Sequence, residues 1–179
     1  TKKERLEISK NAKKLEASIG GIKDIGGTPD LIIVIDTNKE ELAIKEAKKV
    51  GVSVDVFASS EDRNFTYIPK DYVIPTDVDY IHFTSNNTIY GTQFHEFPKT
   101  ALPLVCDMSS DIFSKEINVA DFDLIYAGAQ KNMGAAGVTM VVVKKSILGK
   151  TNRSIPAILD YQKHIEAGSL LNTPPVFSI

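Results

Sequence analysis

Four short runs in the second half of the chain, Asp79–Thr84, Leu102–Asp107, Phe122–Tyr126 and Val138–Lys144, are apolar almost without a break. A strand with one wet face alternates polar and apolar residues, whereas a strand covered on both faces does not, and such strands belong to the parallel sheets of α/β folds. The pattern therefore predicts one parallel-rich sheet over Asp79–Lys144. Earlier in the chain, Leu31–Asp36 is a further short, β-branched strand, and Thr37-Asn38 can cap a helix over Lys39–Ala47. Residues 3–17 place Leu6, Ile8, Ala12 and Leu15, with Ile19 beyond, at near-helical spacing. Gly20-Gly21 and Gly26-Gly27 end that helix in a loop. They precede a strand instead of linking a strand to a helix, and no Gly-Lys-Ser/Thr follows, so they are not a phosphate-binding loop. Ser59–Thr76 is polar with scattered aromatics and reads as a long connection or an irregular hairpin.

Two strand exits carry charged residues. Asp107 ends Leu102–Asp107, and Lys131 stands in Gly128-Ala-Gln-Lys-Asn132, just past Phe122–Tyr126. Neighbouring parallel strands exit at one edge, where a lysine and an aspartate suit pyridoxal phosphate chemistry. The amine forms a Schiff base with the cofactor aldehyde, and the carboxylate keeps the pyridine nitrogen protonated. Each residue also has an ordinary reading. Lys131 serves as a solvated strand end, Asp107 caps the Ser109-Ser110 turn, Thr88 caps a turn after Asn86-Asn87, and Asn172 and Thr173 are turn residues before Pro174-Pro175. Cys106 reads as a small core residue and His82 as structural. Three scattered histidines and one cysteine suggest no metal site.

At 179 residues the chain has the length of one domain, and a formal charge of −2 gives no overall attraction to nucleic acid or membrane. The charge is uneven, since residues 1–50 carry eleven Lys/Arg against nine Asp/Glu. One cysteine allows no internal disulfide and suits a reducing compartment. No apolar run approaches the roughly 18 residues of a membrane span. A cytoplasmic location is expected.

Longer strings carry two resemblances. Ser85-Asn-Asn-Thr-Ile89, Cys106-Asp-Met-Ser-Ser110, Gly128-Ala-Gln-Lys-Asn132, Leu159-Asp-Tyr161 and Leu171-Asn-Thr-Pro-Pro-Val-Phe177 stand in the order and spacing of the phosphoserine aminotransferases. That resemblance runs from about Ala43 to Ile179. By contrast, Lys3-Glu-Arg-Leu6, Ala12-Lys-Lys-Leu-Glu16, Gly20-Gly-Ile-Lys-Asp24 and Gly26-Gly-Thr-Pro-Asp30, running into Leu31–Asp36, resemble the second protein of the bacterial small ribosomal subunit. Ala43–Val50 suits both families, which places a join between about 43 and 55, within a continuous helix. Each resemblance covers part of a domain, and a natural fusion normally keeps whole domains. The chain therefore reads as an assembly or cloning chimera. Its expected organisation is a ribosomal-protein-like helix–loop–strand–helix fragment over 1–50, a partial aminotransferase large domain of fold type I over 51–150, and the start of a passage to a small domain over 151–179.

The aminotransferase resemblance implies a homodimer that transfers an amino group from L-glutamate to 3-phosphohydroxypyruvate on pyridoxal 5′-phosphate, in serine biosynthesis. It implies Lys131 as the Schiff-base lysine and Asp107 as the partner of the pyridine nitrogen. Thr88 and Gln130 would contact the cofactor, Gln130 at its phosphate, and Asn172 and Thr173 would reach the phosphate of the neighbouring subunit's cofactor. The ribosomal resemblance implies binding to ribosomal RNA instead. There are departures from the aminotransferase pattern. Gly-Ala-Ala-Gly at 134–137 stands where the family usually has a proline, and Gln162 stands where it often has arginine. The family's small-residue phosphate loop, substrate arginine and C-terminal domain have no counterpart here, and the stacking tryptophan is missing from a chain without Trp. Weak or absent turnover is the expectation.

Overall fold

The computed structural model describes Lys10, residues 53–150 and residues 154–173. The expected strand Leu31–Asp36, the helix over Lys39–Ala47 and the segment Ala43–Val50 that suits both families all lie outside these residues, as does the helix over 3–17 apart from the helical Lys10. The described residues fall into two compact units, one containing 53–148 and the other 154–172.

The first unit is built on a four-stranded sheet of β1 (Ile81–Thr84), β4 (Leu104–Asp107), β5 (Leu124–Gly128) and β6 (Thr139–Val143), in that spatial order. A two-stranded hairpin, β2 (Asn86–Asn87) with β3 (Thr92–Gln93), stands apart from it. β1 pairs parallel with β4, and β4 with β5, while β6 returns antiparallel to β5. The four apolar runs thus form one mixed, mostly parallel sheet, each starting one or two residues later than the sequence suggests. At Phe122 the reason is local: a short 3-10 turn, Val119–Asp121, capped by Asn118, carries the chain up to it. Ser59–Thr76 holds a 3-10 turn at Glu61–Arg63 and otherwise irregular backbone, a connection and not a hairpin.

Register decides which side chains share a face, because alternate residues of a strand point to opposite sides. Phe83 lies beside Cys106, and Cys106 beside Ile125. With Ile81, Leu104 and Ala127 they make a buried layer, packed with Phe94, Met108, Ile112 and Phe122. Phe83 meets Phe94 edge-on at 5.2 Å, and Phe97 meets Phe122 edge-on at 5.0 Å, the arrangement that ring quadrupoles favour. The other face carries His82, Thr84, Val105, Asp107 and Tyr126, of which only His82 is buried. Near-continuous apolar sequence therefore does not mean equal burial. β1 is buried through Phe83, whereas β6 is half-exposed along most of its length.

In the second unit a 3-10 turn, Ala157–Leu159, leads into α1 (Tyr161–Glu166). Asp160 caps α1 by accepting a bond from Gln162 N at 2.9 Å, and Lys163 pairs with Glu166 at 3.0 Å one turn on.

Candidate active site

Parallel pairing sets Thr84 beside Asp107 and Asp107 beside Tyr126, so β1, β4 and β5 all exit at one edge of the sheet. Three segments leave from that edge, and polar side chains lace them together. Ser85 N donates to Asp107 O at 2.9 Å, continuing the β1–β4 ladder. Asn86 Nδ2 donates to Ser110 Oγ at 2.9 Å, and that hydroxyl donates back to Asn86 O at 2.8 Å. Buried Asp111 accepts from Ser85 Oγ and, at 3.0 Å, from Gln93 Nε2. Gly128 N donates to Ser109 Oγ at 3.0 Å, and Asn132 Nδ2 donates to Ile112 O at 2.6 Å. A buried carboxylate is tolerable when such donors satisfy it.

The candidate residues stand on this lattice. Thr88 occupies the tip of the β2–β3 hairpin. Asn87 shapes that tip by accepting from Ile89 N and Tyr90 N, and Gly91 closes it with a left-handed φ of +71°. Lys131 lies in the turn after β5, where Met133 N and Gly134 N both donate to Ala129 O. Lys131 Nζ donates to Thr88 Oγ1 at 2.8 Å, joining two segments 43 residues apart. Asp107 is half-buried at the end of β4. One of its oxygens accepts from Ser109 N at 2.8 Å, the turn-capping bond anticipated from sequence, and the other accepts no bond among the described residues. Lys131, Thr88 and Asp107 therefore share the carboxyl edge. Gln130 adjoins Lys131 and is exposed. Asn172 and Thr173 are exposed at the end of the described residues, Asn172 in the second unit.

Two residues of the sheet deserve a chemical description. Cys106 is fully buried, and burial, reinforced by the carboxylates of Asp111 and Asp107, pushes its thiol well above the usual range. It is inert, as a core cysteine should be. His82 is 9% exposed, and its Nε2 lies 2.8 Å from the Tyr126 hydroxyl. Burial lowers its pKa to about 4, against an upward pull from Asp107. Among the described residues there is no cluster of three His, Cys, Asp or Glu able to hold a metal, and no helix long and apolar enough to cross a membrane.

Sequence reasoning passed over Ser85, Gln93, Asp111 and the His82–Tyr126 pair. Only the polar run Ser109-Ser110-Asp111, one residue beyond the end of an apolar strand, hints at a built edge. Amine, carboxylate and hydroxyl at one sheet edge fit the aldehyde, ring nitrogen and phenolic oxygen of pyridoxal phosphate. Among the described residues of the first unit the helical elements are 3-10 turns of three residues, too short to offer the helix N-terminus that a phosphate would use.

The mostly parallel sheet has the fold of part of the large domain of pyridoxal-phosphate-dependent transferases. Over most of its length the chain is similar to the phosphoserine aminotransferases. Over 137 residues the chain is 65% identical to the phosphoserine aminotransferase of Flavobacterium johnsoniae, covering 76% of this chain and 38% of the relative. Over 141 residues it is 58% identical to that of Porphyromonas gingivalis, covering 76% and 39%. The chain thus spans well under half the length of these curated relatives. The solved phosphoserine aminotransferase of Bacillus circulans subsp. alkalophilus superposes with a TM-score of 0.74 at 38% identity, over 89% of this chain and 45% of that one. A pyridoxal-phosphate-bound phosphoserine aminotransferase from Trichomonas vaginalis superposes with a TM-score of 0.69 at 29% identity, over 93% and 48%. Residues 1–89 match the family Ribosomal protein S2, a match that runs past the join expected between 43 and 55. Sequence of two unrelated families in one chain is consistent with a chimera.

Proposed function

We propose that this chain carries the covalent and electronic half of a phosphoserine transaminase site, which in the whole enzyme moves an amino group from L-glutamate to 3-phosphohydroxypyruvate. The observation that carries this reading is the Lys131–Thr88 bond at the edge where Asp107 also emerges. Pyridoxal phosphate, when bound, supplies an aldehyde to bond the amine and a ring to accept electrons. Lys131 would be the amine that bonds the aldehyde, and once free it would be the base at this edge able to take up and return a proton during amino transfer. Asp107 would hold the cofactor's ring nitrogen in its protonated form, and the Thr88 hydroxyl would help to orient the ring. Gln130 takes part of the phosphate. Asn172 and Thr173 do so across a homodimer, so a complete site needs two chains.

Turnover by this chain is expected to be poor, because misplacing reacting groups by about 1 Å can cost roughly a hundredfold. The test is to incubate the chain with pyridoxal phosphate, fix it with borohydride and map the labelled lysine, then assay glutamate-dependent amino transfer. Label concentrated on Lys131, and lost in Lys131→Ala, supports the site. Label spread evenly over the surface lysines rejects it, and robust turnover rejects the expected inactivity.

A second reading has the match of residues 1–89 in its favour: a ribosomal RNA-binding piece of a small-subunit protein. RNA binding that weakens steeply with salt would support it.

A further inference from the structure

The His82–Tyr126 bond joins strands that are not neighbours. β1 and β5 lie on either side of β4, so the 2.8 Å contact between His82 Nε2 and the Tyr126 hydroxyl crosses over β4. The rings lie nearly parallel, 26° apart with centroids at 5.9 Å. Register puts Tyr126 beside Asp107 and His82 beside Val105, and all four point to the same face of the sheet. The bridge therefore passes over β4 next to the point where Asp107 emerges. His82 Nδ1 is the one buried side-chain nitrogen or oxygen without a hydrogen-bond partner among the described residues. Leaving such an atom bare is unfavourable, so packing and the Tyr126 bond must hold the ring against that cost.

We infer that His82 and Tyr126 are positioning residues, whose bond across β4 fixes the direction of the Asp107 carboxylate toward the cofactor's ring nitrogen. The inference rests on the cofactor reading above and adds two residues to it. Asp107 is the charged group that acts on His82, and the desolvated ring stays neutral beside it at neutral pH. A neutral His82 does not compete with a protonated ring nitrogen for the carboxylate. Asp107's own ties, to Ser109 N and along the β4 ladder, fix its backbone and one oxygen. The bridge acts on the remaining freedom, the tilt of the strand face from which the side chain rises.

The experiment compares the chain with Tyr126→Phe and His82→Gln, using absorbance titration with two probes. One is pyridoxal 5′-phosphate, and the other is its 1-deaza analogue, in which a C–H replaces the ring nitrogen. The unaltered chain should prefer the pyridine. Tyr126→Phe, which loses only a hydroxyl, should bind pyridoxal phosphate about three- to tenfold more weakly, the equivalent of one hydrogen bond, and the analogue within about twofold of the unaltered chain. His82→Gln, which can still bond the hydroxyl, should recover part of the preference. The histidine ring ¹⁵N shifts, read without any cofactor, should show His82 in one neutral tautomer in the unaltered chain and in a mixture in Tyr126→Phe. Equal loss of affinity for both probes would mean that the bridge only supports the fold, and the inference would be wrong. An unaltered chain that does not distinguish the probes at all would remove Asp107's assigned role, and the inference with it.

Discussion

The two faces of the sheet are built from the same strands and do different work. One face carries Ile81, Phe83, Leu104, Cys106, Ile125 and Ala127, all within 2% of complete burial, under a layer of aromatic rings. The other carries His82, Thr84, Val105, Asp107 and Tyr126, polar at most positions and largely half-exposed. Dispersion and apolar burial hold the first face, and named hydrogen bonds organise the second. Stability should therefore respond to volume changes on the first face and to lost polar partners on the second, while the chemistry at the edge should be separable from both.

The largest effect expected is on the apolar face. Phe83→Ala removes the ring that meets Phe94, Phe97 and Phe122, and should cost about 3–5 kcal/mol in denaturant unfolding. A loss below about 1 kcal/mol would mean that the aromatic layer does not carry the fold. Next comes acid. His82 titrates at about 4 in the folded chain against 6.5 when exposed. Below 6.5 the unfolded chain takes up the proton first, so stability falls as pH drops from 6.5 to about 4 and this loss stops there. The total is roughly 3 kcal/mol for a shift of this size. His82→Gln should flatten that part of a stability–pH curve, and an unchanged slope would show that His82 is reached by water. Third, Asp111→Ala removes the carboxylate that Ser85 Oγ and Gln93 Nε2 share. The Ser85 hydroxyl keeps Asp107 O at 3.1 Å as an acceptor while Gln93 Nε2 loses its partner, so the change should cost about 1–2 kcal/mol, with Asp111→Asn losing less.

How much of this could be read from the sequence differs between the same two faces. The strands were legible because a buried strand leaves a run of apolar residues, and the runs ending at Asp107 and Tyr126 also gave the edge from which the candidate residues project. Register was not legible, because it depends on pairing between strands about twenty residues apart, and a shift of one residue exchanges the faces. Without it, nothing marks Phe83 as core and His82 as the far side, although the two are adjacent. The Ser85–Asp111–Gln93 lattice was hidden for a related reason. Its members are common turn residues, and only their convergence makes them a unit. Lys131 and Thr88 could be singled out as candidates from quoted strings, but their 2.8 Å contact requires the hairpin Asn86–Gln93 to fold back over the edge, which a sequence pattern does not specify.

The smallest expected effect on stability tests the separation most directly. Lys131 and Thr88 are both exposed, and their bond lies in water, where a hydrogen bond between protein groups replaces one to solvent at little net gain. Lys131→Ala and Thr88→Val should each change unfolding free energy by no more than about 0.5 kcal/mol, the usual range for surface substitutions. Their effects on labelling should differ. Lys131→Ala removes the only amine assigned to the cofactor aldehyde, so borohydride labelling should lose its preferred position. Thr88→Val keeps the amine but removes the hydroxyl that holds it, so Lys131 should still be labelled, only with less preference over the other lysines. Peptide mapping of the labelled chain, alongside thermal melts of both variants, measures the two effects on one sample. A melt lowered by several degrees in either variant would show that the edge supports the fold, and chemistry and stability would no longer divide along the sheet as its two faces suggest.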